Sequence, residues 1–159
     1  MRNSANEFDK KEAKTLEDKI VWSADKKLKW TDFQYDPNET SYTIYAKVGL
    51  GARYNVDKPI MFRSHTTFST TESIVSDTTH SDDLRIGQAK FDLLETYRRK
   101  METEVDNLKK LENLKLTTSD FDEMLAKYYD NFEKEWESFR PITMESLKRA
   151  EDTIQNRLR

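Results

Sequence analysis

Cysteine is absent from the 159 residues of this chain, and histidine occurs only twice. The lack of cysteine excludes a disulfide, a thiolate metal site and a cysteine nucleophile. With two histidines, a site that needs three imidazoles is excluded as well. The chain has only three glycines and three prolines, so we expect long uninterrupted elements with few tight turns.

Long apolar runs and a strong charge imbalance are also missing. No stretch approaches the 18 or more apolar residues of a membrane span, so we expect none. The 27 basic and 30 acidic residues give a formal net charge of −3, which offers no global field for nucleic acid, and we expect no nucleic-acid partner. The first residues lack the apolar core of a signal peptide. This start fits a cytosolic protein or a chain whose export signal has been removed.

Aromatic residues make up 11% of the chain, which argues against disorder. Alternation of apolar and polar residues within the segment from Ser41 to Val56 predicts a half-buried strand, in which Gly49 and Gly51 mark a bulge or a bend. A β-branched and aromatic run at 60–68 predicts a second strand. Residues 1–19 are polar and lysine-rich, and we expect a frayed lead-in or a short helix there.

After residue 81 the apolar spacing changes to that of helices. The predicted helices span about 82–113, 119–139 and 143–158. Their predicted N-caps are Ser81, Ser119 and Thr143. A link of about five residues makes the first two helices antiparallel. The fold class is therefore α+β: a small N-terminal antiparallel sheet at about 20–76, a long helical hairpin and a C-terminal helix, in one domain of residues 20–159.

Common catalytic motifs are absent from this chain. It has no glycine-rich phosphate loop and no nucleophile elbow. His65 and His80 fall on a predicted strand and in a polar loop, and we expect both to be surface residues rather than ligands or bases.

Several stretches, taken in order, carry a more specific signal. They are Trp22-Ser23, Leu28, Trp30-Thr31-Asp32-Phe33, Phe68, Ser73-Ile74-Val75 and the helix at 86–100. Together they resemble a bacterial, mostly exported family of unknown function that is often labelled zinc-dependent proteases. Family members begin with a tryptophan-x-aspartate-phenylalanine strand and carry a later helix of pattern His-Glu-Gln-x-His-Phe-Asp-x-x-Glu-x-Tyr-x-Arg-Lys. The retained positions are Trp30, Asp32, Phe33, Gln88, Phe91, Asp92, Glu95, Tyr97, Arg99 and Lys100.

The departures from the family pattern fall on the metal chemistry. In a His-Glu-x-x-His helix, residues i and i+4 present two imidazoles to one Zn²⁺, and the glutamate polarises the bound water. Here the histidine positions hold Ile86 and Lys90, and the glutamate position holds Gly87. A later family motif that supplies a third ligand has Glu135 in the histidine's place. Isoleucine has no lone pair and lysine is a cation, so we expect no catalytic residues, no metal and no cofactor.

Two structural hypotheses follow from these replacements. The Lys90 ammonium and the Glu135 carboxylate could meet where the metal would lie and join the first two helices; alternatively, both point to solvent. Glycine inside a helix costs about 1 kcal/mol relative to alanine. Gly87 therefore indicates either drift after a constraint was lost or a close approach of something packed on the helix.

The resemblance implies a non-catalytic, protease-like domain, a pseudoenzyme that acts as a protein-binding or structural module of the bacterial cell envelope. It implies a periplasmic or secreted location, a cytoplasmic one remaining open, and a protein or peptide partner; the oligomeric state is left open. One alternative is an active metallo- or other hydrolase with a non-standard site, such as His65 or His80 with carboxylates. Another is a helical-hairpin adaptor unrelated to the family, whose helices would not pack against the Trp30–Phe33 strand.

Overall fold

The structure is a computed structural model that describes residues 4–57, 59–111 and 113–159. In chain order its elements are α1 (Ser4–Thr15), β1 (Lys19–Val21), a short 3-10 helix (Trp30–Asp32), β2 (Gln34–Tyr35), β3 (Ile44–Tyr45), β4 (Val48–Asn55), β5 (Met61–Ser69), β6 (Ile74–Val75), α2 (Ser81–Lys109), α3 (Thr118–Ser138) and α4 (Met144–Leu158). Small sheets precede three long helices, which confirms the predicted α+β class. The polar N-terminal segment contains a short helix, α1.

The larger sheet has the order β1-β5-β4, and β5 is antiparallel to both neighbours. The β4–β5 ladder is continuous from Val48 opposite Phe68 to Asn55 opposite Met61. Since side chains alternate along a strand, this long ladder has two distinct faces. Phe68 is fully buried on the face toward α2, and α1 contacts the opposite face through an ion pair of Glu12 with Arg63 at 2.8 Å.

The bulge predicted at Gly49 and Gly51 is wrong, because both glycines pair in register, with Thr67 and His65. Gly49 instead accommodates a neighbouring hydroxyl: an added Cβ would lie 3.2 Å from Thr67 Oγ1, which donates to the Gly49 carbonyl. The interruption lies earlier, at residues 46–47, which separate β3 from β4. The alternating segment therefore forms two strands that belong to different sheets.

The smaller sheet has the order β2-β6-β3, in which β2 is parallel and β3 antiparallel to β6. The strands thus form two sheets, one of which contains a parallel pair. The strand predicted at Trp30–Phe33 is wrong, since residues 30–32 form a 3-10 helix and Phe33 follows in extended conformation. The turn is stabilised by the Asp32 carboxylate, which accepts a hydrogen bond from the Lys29 amide at 2.8 Å.

Reciprocal capping boxes begin α3 and α4. Thr143 caps α4, as predicted. For α3 the predicted cap, Ser119, is wrong, and the cap is Thr117. The Thr117 hydroxyl accepts from the Asp120 amide at 3.2 Å, while the Asp120 carboxylate accepts from the Thr117 amide at 2.8 Å. This exchange satisfies two backbone donors at once.

The bounds of α2 also differ from the prediction. Its N-cap is His80 rather than Ser81, and no side chain caps it. The helix ends at Lys109 rather than near residue 113, and residues 110–117 lead to α3. The two helices form the predicted antiparallel hairpin.

Contacts along the hairpin establish this direction. Tyr97 donates to Glu135 at 2.9 Å, whereas Glu104, later in α2, accepts from Tyr128, earlier in α3, at 2.5 Å.

The middle of α2 is the centre of the molecule, because every residue from Phe91 to Tyr97 is buried. Seven consecutive buried positions cover all sides of a helix with 3.6 residues per turn. The main core joins both sheets to α2, α3 and α4. A smaller cluster near the end of the hairpin contains Met101, Val105, Phe121 and Met124. None of the helices in the described ranges combines the length and apolarity needed to cross a bilayer.

Enclosure on all sides buries polar groups of α2 that need partners. Asp92 is 5% exposed, and its carboxylate accepts from Trp22 Nε1 and from Gln88 Nε2, both at 2.7 Å. The side-chain oxygen Oε1 of Gln88 accepts a hydrogen bond from the Leu28 main-chain amide at 2.7 Å. These bonds fix the irregular segment after β1 to the surface of α2.

We expect Asp92→Ala to lower the free energy of unfolding by about 2–3 kcal/mol, because it leaves the Trp22 indole N–H without its acceptor. Asp106→Ala, at an exposed position of the same helix, is the matched control and should have little effect. In a Trp22→Phe background the cost of Asp92→Ala should fall, because the orphaned donor is gone. Denaturant unfolding of the wild type, the three single variants and the double variant measures this, and strictly additive effects of Asp92→Ala and Trp22→Phe would contradict the assignment.

Candidate functional site

A cavity of about 340 Å³ lies between β3, the first half of α2 and the end of α3. Residues 42–46 line one side. From α2 come Asp83, Ile86, Gly87 and Lys90, and the third wall consists of Trp136, Arg140 and Ile142. Of these residues, Ile44 and Tyr45 form β3, which pairs with β6 on one side only. The Ala46 carbonyl, which directly follows β3, accepts a hydrogen bond from Lys90, so the main chain beside β3 borders the cavity.

Three of the four predicted degenerate positions come together here. Ile86 and Lys90, at i and i+4, line the same cavity, with Gly87 between them. This is the face on which a zinc-binding helix would present its two imidazoles. An alkyl side chain, a hydrogen and an ammonium group provide no lone pair at neutral pH, so these residues do not fit a zinc ion. In the described ranges, no group of three or more carboxylate or histidine side chains is placed to hold a metal.

Glu135 lies elsewhere, and the hypothesis that it pairs with Lys90 is wrong. Its carboxylate binds Arg157 through both oxygens, one of the bonds at 2.8 Å, and accepts from Tyr97 Oη at 2.9 Å. Hydrogen bonds from Arg157 hold the pKa of Glu135 below its ordinary value, although partial burial opposes this. Glu135 thus joins α2, α3 and α4, while its neighbour Trp136 occupies the cavity wall.

Lys90 is half-buried at the cavity wall. Its Nζ donates to the Ala46 carbonyl at 2.8 Å and lies 4.7 Å from the centre of the Tyr45 ring. Among the described residues, no carboxylate lies within ion-pair distance of this nitrogen. Burial, together with the nearby charges of Arg140 and Lys47, lowers the pKa of Lys90 to about 8. The cavity wall therefore carries the Lys90 ammonium group without a carboxylate at ion-pair distance among the described residues.

Gly87 allows a close approach between α2 and the sheets. A Cβ at this position would lie 3.3 Å from Phe33 Cζ and 3.3 Å from Ile44 Cδ1. Phe33 is only 6% exposed and stands edge-on to Phe68 at 5.0 Å. Of the two explanations offered for Gly87, the structure supports close packing on the helix, because Phe33 and Ile44 occupy the space next to its α-carbon.

The retained family-motif residues mostly build the core and its polar supports. The ring centres of Trp30 and Phe33 lie 6.4 Å apart, and those of Phe68 and Phe91 lie 5.9 Å apart. Aromatic residues from separate stretches of the sequence therefore pack against one another. These four rings link the 3-10 helix and β5 to α2. Their retention fits a structural role.

Glu95 is the other buried acid of α2, only 2% exposed. Burial raises its pKa, but bonds from Arg98 at 2.8 Å and from Arg99 at 3.0 Å outweigh burial and leave that pKa below the ordinary value. Arg99 also lies over the Trp22 ring at 5.3 Å. Glu95, Tyr97 and Arg99 therefore face partners other than the cavity.

Neither histidine lines this cavity. His65 Nε2 lies 3.0 Å from Glu12 Oε2, and Glu12 also binds Arg63. This half-buried pair holds α1 on the larger sheet beside a second cavity of about 210 Å³. Among the described residues no hydroxyl bonds to His65, so the pair has no adjacent nucleophile. His80 is exposed, as predicted, and lies 3.4 Å from Asp77.

Sequence reasoning did not identify Tyr45, Trp136 or Arg140 as cavity residues. Trp136 lies near the end of α3, and Arg140 follows that helix. Their convergence with Lys90 depends on the hairpin's packing, which no local spacing encodes.

Comparison with known proteins finds no matching family model, no matching curated protein and no matching solved structure. The resemblance to the zinc-protease-like family therefore stays a prediction, supported by the residues quoted for it.

The lowered pKa of Lys90 predicts a specific pH dependence. Between about 8, its pKa in the folded chain, and 10.5, the ordinary value, the unfolded chain keeps a proton that the folded chain has released. The free energy of unfolding therefore rises with pH in that window. Below pH 8 the cost of burying the charged Lys90 ammonium is fully present. Between pH 7 and 10, wild type should gain about 2–3 kcal/mol relative to Lys90→Met.

Denaturant unfolding at several pH values measures this difference. Lys148→Met, which removes a lysine whose side chain is 74% exposed, is the control and should show a much flatter difference. A Lys90→Met difference that stays constant from pH 7 to 10 would contradict the burial of this ammonium.

We expect Gly87→Val to destabilise the chain by about 1–3 kcal/mol, because the added methyl groups must displace Phe33 or Ile44 from a packed core. Asn107→Val, at an exposed position of the same helix, controls for the introduction of a β-branched residue into α2. Thermal unfolding of both variants checks this. Equal stability of the two would show that α2 does not need a glycine here.

Proposed function

We propose that this chain is a non-catalytic, protease-like domain that binds a protein or peptide segment in the cavity beside α2. In this proposal it is a module of the bacterial cell envelope, periplasmic or secreted, a location that follows from the family resemblance. The observation that carries the proposal is the set of side chains that α2 directs to the cavity. Ile86, Gly87 and Lys90 occupy the face of a metalloprotease helix without any of its ligands.

The position of Glu135 also supports loss of catalysis. In the family pattern this position supplies a third ligand, but here its carboxylate is engaged by Arg157 and Tyr97. A general base needs a side chain beside the reacting water, and Gly87 has none. Hydrolysis by metal-activated water therefore lacks both its ligands and its base among these residues.

The cavity supports a binding role. Its volume lies in the range of ligand sites, and it combines apolar walls with a few polar groups. One border is the edge of β3, and an unpaired strand edge can accept an extended peptide through main-chain hydrogen bonds. In the smaller sheet, β3 has β6 on one side only.

Packing between the helices and the N-terminal motif weighs against the unrelated adaptor. That alternative expected α2 to avoid the Trp30–Phe33 segment. Phe33 instead lies against Gly87 and belongs to the main core with Phe91. The motif stretches therefore meet in one core, as a shared ancestry would require.

The test of this proposal combines two measurements. The first is calorimetric titration of the metal-free chain with Zn²⁺, together with thermal unfolding with and without zinc. We expect no stoichiometric uptake and no stabilisation by zinc, since a ligand that binds the folded state would raise stability. Ile86→His with Lys90→His is the positive control, because it places two imidazoles at i and i+4.

The second measurement is selection of binders from displayed peptide libraries, presented with free amino ends in one library and free carboxyl ends in another. Thr43→Trp, at an exposed position that lines the cavity, should abolish selection, whereas Tyr35→Trp, exposed on β2 away from the cavity, should not. Stoichiometric zinc in the wild type with zinc-dependent peptide cleavage would overturn the proposal. So would peptides that bind Thr43→Trp as well as wild type.

A further inference from the structure

We propose that the cavity binds the carboxyl terminus of a peptide or protein, with the terminal carboxylate on Lys90 and Arg140 and an apolar last side chain against Trp136 and Ile86. This inference rests on the proposed binding function and names the chemistry of its ligand.

The charge at the cavity favours an anion. An ammonium group has three donors, and Lys90 uses one of them on the Ala46 carbonyl. Arg140 lines the same cavity, and its pairing with Glu137 at 3.1 Å is solvent-exposed on both sides, so it contributes little to holding the guanidinium there. Buried charges in proteins are normally paired. A carboxylate between these two cations would supply the missing partner.

The walls favour an apolar group beside that carboxylate. Trp136 is 5% exposed, and Ile86 and Ile142 are partly buried against the main core. A C-terminal residue carries its free carboxylate and its side chain on the same α-carbon, and the two groups diverge from it. The carboxylate can therefore reach the cation while an apolar side chain contacts the aromatic and branched aliphatic walls. A bare inorganic anion would leave these walls without a contact.

The size and shape of the cavity favour a peptide over a single small acid. About 340 Å³ exceeds what one small carboxylate fills. The edge of β3 runs along one side, where its main-chain groups can pair with an extended chain. The Thr43 carbonyl accepts from the Ser76 amide, so the main-chain groups of Ile44 point away from β6, toward this edge.

Asp83 lines the same cavity, about two turns before Lys90 on α2. Seven residues of helix at 1.5 Å each separate the two positions by about 10 Å along α2, which is the span of about three extended residues. A carboxylate would be repelled at the Asp83 end and attracted at the Lys90 end. The cavity therefore sets a direction for a bound chain.

The probes for the test are acetylated tripeptides, acetyl-glycyl-alanyl-X, in which X is valine, leucine, isoleucine or phenylalanine. Each is made with a free carboxyl terminus and with a carboxamide. Intrinsic tryptophan fluorescence, to which Trp136 contributes with Trp22 and Trp30, and amide chemical-shift changes measure binding at pH 7. We expect the acids to bind at least tenfold more tightly than the amides, with the shifts confined to residues around the cavity.

Three variants assign the contacts. Lys90→Met should weaken binding of the acids at least tenfold and leave the amides unchanged, while Lys90→Arg should retain most of the preference for acids. Arg140→Gln should reduce it several-fold. Lys148→Met, which removes an exposed lysine of α4, should change nothing.

Affinity for the acids should also fall as the pH rises through 8 to 10, because Lys90 loses its charge. The other groups around it are Arg140, Lys47, Glu133 and Glu137, with the Tyr45 ring beneath. Lys90→Met should remove this pH dependence. A dependence that survives in Lys90→Met would assign the titration to another group and overturn the role of Lys90.

The outcomes separate this inference from the proposed function. Equal binding of acids and amides, blocked by Thr43→Trp, would leave a peptide-binding cavity and refute the carboxylate contact. Acetate or free leucine that binds as tightly as the tripeptides would refute a peptide terminus as the ligand. If no peptide of any kind binds and libraries give no binder dependent on the cavity, both proposals fail.

Discussion

The enclosure of the middle of α2 is the constraint on which the rest of the structure depends. A helix that is buried around its whole circumference must satisfy every polar group it carries, and this one carries Asp92 and Glu95. Asp92 is bound by Trp22, which directly follows β1, and Glu95 is bound by Arg98 and Arg99 from the next turn of α2. An uncompensated carboxylate at either site would cost several kcal/mol. The irregular segment after β1 is therefore an essential part of the fold, because it brings the Trp22 donor to α2.

The same constraint acts differently on the core and on the cavity wall. Replacing the core acid Asp92 removes the acceptor of the Trp22 indole N–H, whereas Ile86 and Lys90 line an open cavity. Gly87 lines that cavity too, but its lack of a side chain allows Phe33 to reach α2. Packing therefore restricts Gly87 and Asp92 more strictly than their neighbours at the cavity wall.

The sequence predicted elements whose signals are local and missed arrangements that depend on tertiary contacts. Helical periodicity located α2, α3 and α4, and Thr143 located the start of α4. The bulge at Gly49 was wrong because glycine there makes room for the Thr67 hydroxyl across the ladder, which a single strand's sequence does not show. The Lys90–Glu135 pair was wrong because the pattern match placed both residues at one metal site, whereas Arg157 binds the Glu135 carboxylate away from the cavity. Trp136 reaches the site only through the crossing of two helices.

The ammonium group of a lysine places a positive charge in this cavity with fewer geometric requirements than a bound metal ion would have. A divalent ion needs several lone pairs that converge within a narrow range of distances, whereas Lys90 is held by one carbonyl and one aromatic face. Its charge is carried by the chain itself and depends on pH, because burial and neighbouring cations have lowered its pKa to about 8. An anionic ligand would favour the protonated form and offset part of the cost of burial. A wall of this kind can attract a carboxylate without the residues that metal-dependent hydrolysis needs, since attraction of an anion needs only a positive charge, while hydrolysis also needs a metal, its ligands and a base.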